Sequence, residues 1–388
     1  MYDYIIIGGG ISGLYCSLNL TQHKVLLLEA NNYLGGRIFT NKSPQYEIGA
    51  GRYSDHHKIL VNLIKQFKLS PIKLSHSHDF IYNDTITNDV ENLFKKVINQ
   101  LLLKPKLDSL RDITFYNYIR KFFTKTESDK LMYIFGYYSE FKVMNAYDSL
   151  SLLKKMMNGD YYVVKEGLSE LIKRMSKGLN YELNHKVKHI EHNDGIYKVD
   201  QYFTKNIIFS IPANDLKQFT ILKPILPLIN SVKVSSLLRV YAIYKNKWFA
   251  DMPRTTTNSF LRHIIPINSD TGLIMISYVE GKDTDPYRNE SGNLKSTKTI
   301  MNKIQKELKI LFPDKDIQEP EYFKVHLWEV GDHSWLPKYN STIIAKEILN
   351  PIKNLYICGE SFSHNQAWVE GALETATKVL DILGQDHK

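Results

Sequence analysis

The chain of 388 residues has very little cysteine: two residues, Cys16 and Cys358. That scarcity excludes a disulfide framework and fits a reducing compartment. Long apolar runs are also missing. Although 43 % of the residues are hydrophobic, no run approaches the roughly 20 residues of a membrane-crossing helix. No charged leader precedes an apolar stretch at the start, and Gly384 to Lys388 is not an apolar tail. The expectation is a cytoplasmic protein with no secretory signal and no membrane anchor. The net charge is +9, but the lysines are scattered, with no basic block, basic helix or nucleic-acid motif. A solvated basic surface follows, with no nucleic-acid partner. No metal site is expected, and internal repeats and low-complexity segments are absent.

What is present starts at once. Asp3 to Ile7 reads as a hydrophobic strand running into Gly8-x-Gly10-x-x-Gly13, with Ile11 and Ser12 opening a helix. A second apolar run ends at Glu29, 21 residues beyond Gly8. This is the dinucleotide-binding βαβ fingerprint in its expected context. Gly8 makes the tight turn, Gly10 lets a pyrophosphate approach the backbone, and Gly13 allows close helix–strand packing. The phosphates would meet free N–H groups at a helix N-terminus, and Glu29 would accept hydrogen bonds from the ribose hydroxyls.

A second glycine turn follows, Ala30 to Thr40, with Gly35, Gly36 and Arg37. Arg37 offers a permanently charged, forked donor to the same pyrophosphate, or is a surface arginine on a solvated turn. Near the other end, Leu355 to Ser361 reads as a buried strand ending in Gly359-Glu360, and helical spacing begins after Ala367-Trp368-Val369-Glu370-Gly371-Ala372. The two ends together resemble the flavin-containing amine oxidase family. Its members commonly read Glu-Ala-x-x-Arg-x-Gly-Gly-Arg. This chain matches at Glu29, Ala30, Gly35, Gly36 and Arg37 and departs at Tyr33, where the family has arginine.

The resemblance implies noncovalent FAD. It places the cofactor against Gly8, Gly10, Ile11, Ser12, Gly13, Glu29, Ala30, Gly36 and Arg37. It adds Gly49, Ala50, Gly51, Arg52, Val187, Gly359, Glu360, Trp368, Val369 and Ala372. Val187 would meet the adenine through its backbone, within strands over 184–190 and 207–213. The last helix N-terminus, near Val369 to Ala372, would face the flavin edge that becomes negative on reduction.

On the substrate side, Arg52 aligns with the arginine that grips the substrate carboxylate in the L-amino acid oxidase branch. The other reading pairs it with a protein carboxylate or a cofactor phosphate. In that alignment Ala50-Gly51 and Ser54 replace Pro-Met and Pro, and His56 and His57 lead into an amphipathic helix. Trp368 stands where the family has one aromatic wall of an amine cage. Trp335 or Tyr339 is the candidate second wall, and the alternative for Trp368 is an ordinary core aromatic. Arg239 stands where the family has a lysine that assists the reaction with oxygen, or is a solvent-facing arginine in a slightly shifted register. An arginine keeps the charge but does not exchange protons near pH 7.

The predicted fold is α/β: a Rossmann-like FAD-binding domain from 1–75, 158–230 and 350–388, interleaved with a sheet-based substrate domain at 231–349. A helical segment at 76–157 carries an apolar face from Val90, Leu93, Phe94, Val97, Ile98, Leu101 and Leu102 and is stopped by Pro105. The implied activity is oxidation of an amine C–N bond to an imine, with O2 reduced to H2O2. L-Amino acids are the favoured substrates, and polyamines or monoamines the first alternative. A desaturase-like or porphyrinogen-type oxidase and a non-catalytic flavoprotein share the same cofactor motifs. A homodimer is also compatible with the resemblance.

Overall fold

The computed structural model describes residues 1–385 except 84, 89 and 158. The first strand, Tyr2–Ile7, pairs in parallel with Val25–Leu28 on one side and Tyr202–Phe209 on the other. Tyr181–Glu182 extends the sheet beyond Val25–Leu28, and Leu355–Ile357 pairs in parallel with Tyr202–Phe209. Ile190–Asn193 and Ile196–Val199 add an antiparallel edge. Successive side chains of a strand point to opposite faces, and here both faces are covered. Tyr4 and Ile6 enter a core with Leu14, Leu60, Leu63, Leu373 and Ala376. Ile5 and Ile7 enter another with Tyr197, Phe209, Trp335 and Ile344. A strand buried on both sides reads as a continuous apolar run, which is what Tyr-Ile-Ile-Ile is.

These elements make up one compact unit, Met1–Leu74, Asn158–Val234 and Asp332–Lys388. The other unit is Ser75–Met157 with Ser235–Gly331. It has a sheet ordered 322–335, 232–243, 273–280, 263–268, 254–257, 78–82, 85–87. The helix Thr297–Leu311 packs on that sheet through Ile300, Ile304 and Leu308. A second core there joins Val90–Leu102 to Lys125–Phe135 and Ala146–Met156.

Three expectations are corrected. The helical and sheet segments form one unit rather than two, and that unit ends at Gly331, not at 349. Ile344, Ala345 and Ile348 pack into the nucleotide-domain core, which draws 332–349 to the first unit. Residues 184–189 are not a strand: Asn184 has φ 57. His185 N–H donates to the Glu29 carbonyl at 2.8 Å, so the segment docks beside Glu29 as a loop. Leu93, expected on the apolar face, is 52 % exposed.

Candidate active site

The order of the first sheet reverses direction at Tyr2–Ile7, so the turn after Ile7 lies at a topological switch point, where open α/β sheets bind ligands. The glycines of that turn divide by cause. A Cβ on Gly8 would lie 2.6 Å from the Ser210 carbonyl oxygen, and one on Gly13 2.1 Å from the Gly8 oxygen. The protein's own packing therefore demands both. Gly10 is different. Its φ of −68 and ψ of 175 suit any residue, and a Cβ there would meet nothing within 4 Å. It keeps open the space in front of the helix Ile11–Asn19. That helix has neither a side-chain cap nor an acidic residue in its first turn. An uncapped N-terminus facing open space fits the pyrophosphate of FAD.

The second glycine turn stacks on the first. Gly35 N–H donates to the Gly9 carbonyl at 2.8 Å, and a Cβ on Gly36 would come 3.3 Å from Gly10 Cα. Tyr33, in the family's arginine position, packs edge-on against Phe39. Glu29 Oε2 accepts from Gly9 N–H at 2.6 Å, and Oε1 accepts from Asn31 N–H and Nδ2. Ala50 N–H donates to the Arg37 carbonyl at 2.9 Å, which lays the Gly49–Arg52 segment beside the same turn. Gly51 has no room for a side chain, since Glu47 would stand 2.1 Å from its Cβ. Val187 is buried beyond Glu29.

From the far end of the chain, Glu360 reaches this turn. Its Oε1 accepts from Arg37 Nη1 at 2.6 Å and lies 3.0 Å from His333 Nδ1. Burial alone would raise the Glu360 carboxyl. The charge and hydrogen bonds of His333 and Arg37 outweigh it and hold it at about 2. Oε2 is buried and has no protein partner, which leaves an acceptor for a hydroxyl donor of the cofactor. His333 escaped the sequence reading. The one signal was its place two residues before Trp335, on the same strand face.

Trp335 is not a cavity wall. It is 1 % exposed, its indole N–H donates to the Ser363 carbonyl at 2.9 Å, and its backbone N–H donates to Gln366 Oε1. Tyr339 packs, partly buried, on the same core. The ring that accompanies Trp368 is Tyr161, which the sequence reading did not single out. The two stack at 5.9 Å and 23°. The Arg52 guanidinium lies 4.9 Å from the Tyr161 ring and 5.5 Å from the Trp368 ring. Tyr161 arrives because Tyr161–Val164 pairs with Tyr53–Ser54, directly after Arg52. His57 meets Trp368 edge-on at 4.9 Å. Glu370 fixes this corner: its two oxygens accept from Ile59 and Leu60 N–H, each at 2.9 Å. It thereby caps the helix Lys58–Gln66 and ties it to the first turn of Val369–Gln385. All four aromatic and cationic groups are half-buried.

In the other unit, Arg239 is half-buried, with its guanidinium 4.5 Å from the Tyr278 ring. His326 nearby is pushed down to about 4 by burial and by the charges of Lys324 and Arg239. The Cys16 thiol hydrogen-bonds to Cys358 and is buried; both effects raise it well above its usual range, which marks an inert packed pair.

A model of the flavin containing amine oxidoreductase family matches residues 11–379. The chain belongs to that family, and FAD is its cofactor. Among curated relatives, an L-amino-acid oxidase of Mus musculus is 32 % identical over 95 residues, 23 % of this chain and 14 % of the relative. An amine oxidase [flavin-containing] A of Equus caballus is 36 % identical over 80 residues, 19 % of this chain and 15 % of the relative. These matches span less than a sixth of the relatives' own length. A variant of putrescine oxidase has the same fold, with a TM-score of 0.83, 16 % identity and 99 % of each chain covered. So does cyclohexylamine oxidase from Brevibacterium oxydans, at 0.81, 15 % and 99 % of each chain. No helix among the described residues is long and apolar enough to cross a membrane.

Proposed function

We propose that this chain oxidises the C–N bond of a primary amine to an imine, with L-amino acids the favoured substrates and O2 the final acceptor, reduced to H2O2. The observation that carries the reading is the group in which the Arg52 guanidinium lies over the stacked rings of Tyr161 and Trp368. FAD, noncovalently bound, supplies the two-electron acceptor. Arg52 binds the substrate carboxylate through two parallel hydrogen bonds, its own orientation held by the ring faces. Tyr161 and Trp368 confine the amine and keep water from it, so the Cα–H points in one direction. The chain needs no nucleophile for this reaction.

A second reading takes polyamines or monoamines as substrates and makes Arg52 a structural support of the ring pair. The likeness of the fold to putrescine and cyclohexylamine oxidases is what favours it. Anaerobic mixing of the flavin-loaded protein with L-amino acids and, separately, with simple amines and polyamines decides between them. Bleaching of the oxidised flavin band by L-amino acids supports the carboxylate clamp. Bleaching only by amines without a carboxylate moves the assignment to the second reading, and no bleaching by any amine overturns both.

A further inference from the structure

We propose that His333 is a positioning residue of the cofactor site: it immobilises one carboxylate oxygen of Glu360 and thereby presents the other to a hydroxyl of FAD. The inference rests on the placement of FAD against Glu360. His333 is 1 % exposed, within the last turn of residues of the strand Tyr322–Trp335. Its Nδ1 is 3.0 Å from Glu360 Oε1. Across the ring, Ala213 N–H donates to Nε2 at 3.3 Å. An N–H pointing at Nε2 makes that nitrogen an acceptor, so the proton sits on Nδ1 and is donated to Glu360. Ser361 Oγ lies 3.3 Å from both ring nitrogens and closes the remaining edge.

The strand end that carries His333 is fixed independently. Trp335 holds Ser363 through its indole N–H and Gln366 through its backbone, and Gln366 Nε2 donates to the Ser361 carbonyl at 2.6 Å. The imidazole and the Glu360 loop therefore form one rigid piece. Arg37 alone could satisfy Oε1 but could not set the rotation of the carboxylate plane; two donors from different directions can. Oε2, buried and without a protein partner, is then aimed rather than merely unused. Arg37 brings charge and a hydrogen bond to Glu360 and His333 a hydrogen bond, and both lower its carboxyl. Loss of His333 removes one donor from Oε1 and leaves Arg37 alone against the cost of burial, so the protonation of Glu360 moves up.

The test measures FAD dissociation from the holoprotein as a function of pH for wild type, His333→Ala, His333→Gln, Glu360→Gln and the double variant His333→Ala/Glu360→Gln. Circular dichroism of each checks folding, and His333→Gln keeps a donor and most of the volume if the alanine variant does not fold. We expect FAD binding to weaken by about tenfold in His333→Ala, the usual scale for losing a hydrogen bond to a charged group. The acid limb of FAD binding should move to higher pH than in wild type, and His333→Gln should restore part of the affinity. In the Glu360→Gln background the His333 substitution should have little further effect. Equal affinities and flat pH profiles in folded His333 variants overturn the inference while leaving the cofactor site standing, and so does a full effect of His333→Ala in the Glu360→Gln background. Failure of wild type to hold FAD overturns the cofactor placement itself.

Discussion

At the residue scale, the glycines of the first turn answer to different masters. Gly13 is demanded by the Gly8 oxygen, whereas Gly10 serves only what lies in front of it. Gly13→Ala should therefore lower the unfolding temperature of the apoprotein. Gly10→Ala should leave that temperature within a degree or two and weaken FAD binding at least tenfold. Apoprotein melting and flavin titration separate the two; equal melting losses would refute the distinction. Arg52→Ala should raise KM for L-amino acids by about two orders of magnitude, the cost of a lost bidentate ion pair, with FAD content unchanged. Arg52→Lys should recover little, because a point charge does not match the carboxylate fork. Unaltered steady-state kinetics in Arg52→Ala would remove it from the substrate site. The fingerprint glycines and Glu29 were legible because fixed spacing on one short βαβ unit sets their places. Tyr161 was not, because it reaches Arg52 through a strand pair joining residues over 100 positions apart.

At the element scale, the sequence revealed helices and strands by period but not what their termini do. The helix Lys58–Gln66 has no side-chain cap of its own. Its exposed N–H groups are met by Glu370, more than 300 residues later. Nothing near either segment announces that pairing, since Val-Glu-Gly reads only as the start of a helix. Burial pushes the Glu370 carboxyl up, and the backbone hydrogen bonds work against it. Glu370→Gln keeps one acceptor and adds a donor where two N–H groups already point. It should cost about 1–2 kcal/mol in thermal or denaturant unfolding, the scale of a lost cap. Because His57 at the head of that helix touches Trp368, kcat/KM should fall as well, with FAD retained. A loss of stability with unchanged kinetics would show that the cap does not orient the ring. The loop at 184–189 makes the same point. Its alternating residues suggested a strand, but docking on Glu29 through His185 N–H decides its path, and such tertiary contacts override local pattern.

At the scale of the whole molecule, apolar strand runs at the two ends and in the middle suggested a nucleotide unit of 1–75, 158–230 and 350–388, and the compact unit is Met1–Leu74, Asn158–Val234 and Asp332–Lys388. The break near 331 was hidden inside a continuous strand, where composition does not change. The two units also carry their acid sensitivity in different groups. Glu360, in the nucleotide unit, titrates at about 2 against an ordinary 4.5. The unfolded chain binds the proton first, so its stabilisation is complete above about pH 5 and is lost as the pH falls from about 4.5 to 2. The shift corresponds to about 3 kcal/mol. His326, in the other unit, titrates at about 4 against an ordinary 6.5. Here too the unfolded state takes up the proton first, so stability declines as the pH falls from about 6.5 to 4, before Glu360 responds. His326→Gln should lessen the fall of melting temperature as the pH drops from about 6.5 to 4, and Glu360→Gln the fall below about 4.5, where Asp129, Asp200 and Glu329 also contribute. A melting profile flat from pH 7 to 4, or one unchanged by His326→Gln, would show that burial and the neighbouring charges of Lys324 and Arg239 do not govern that histidine.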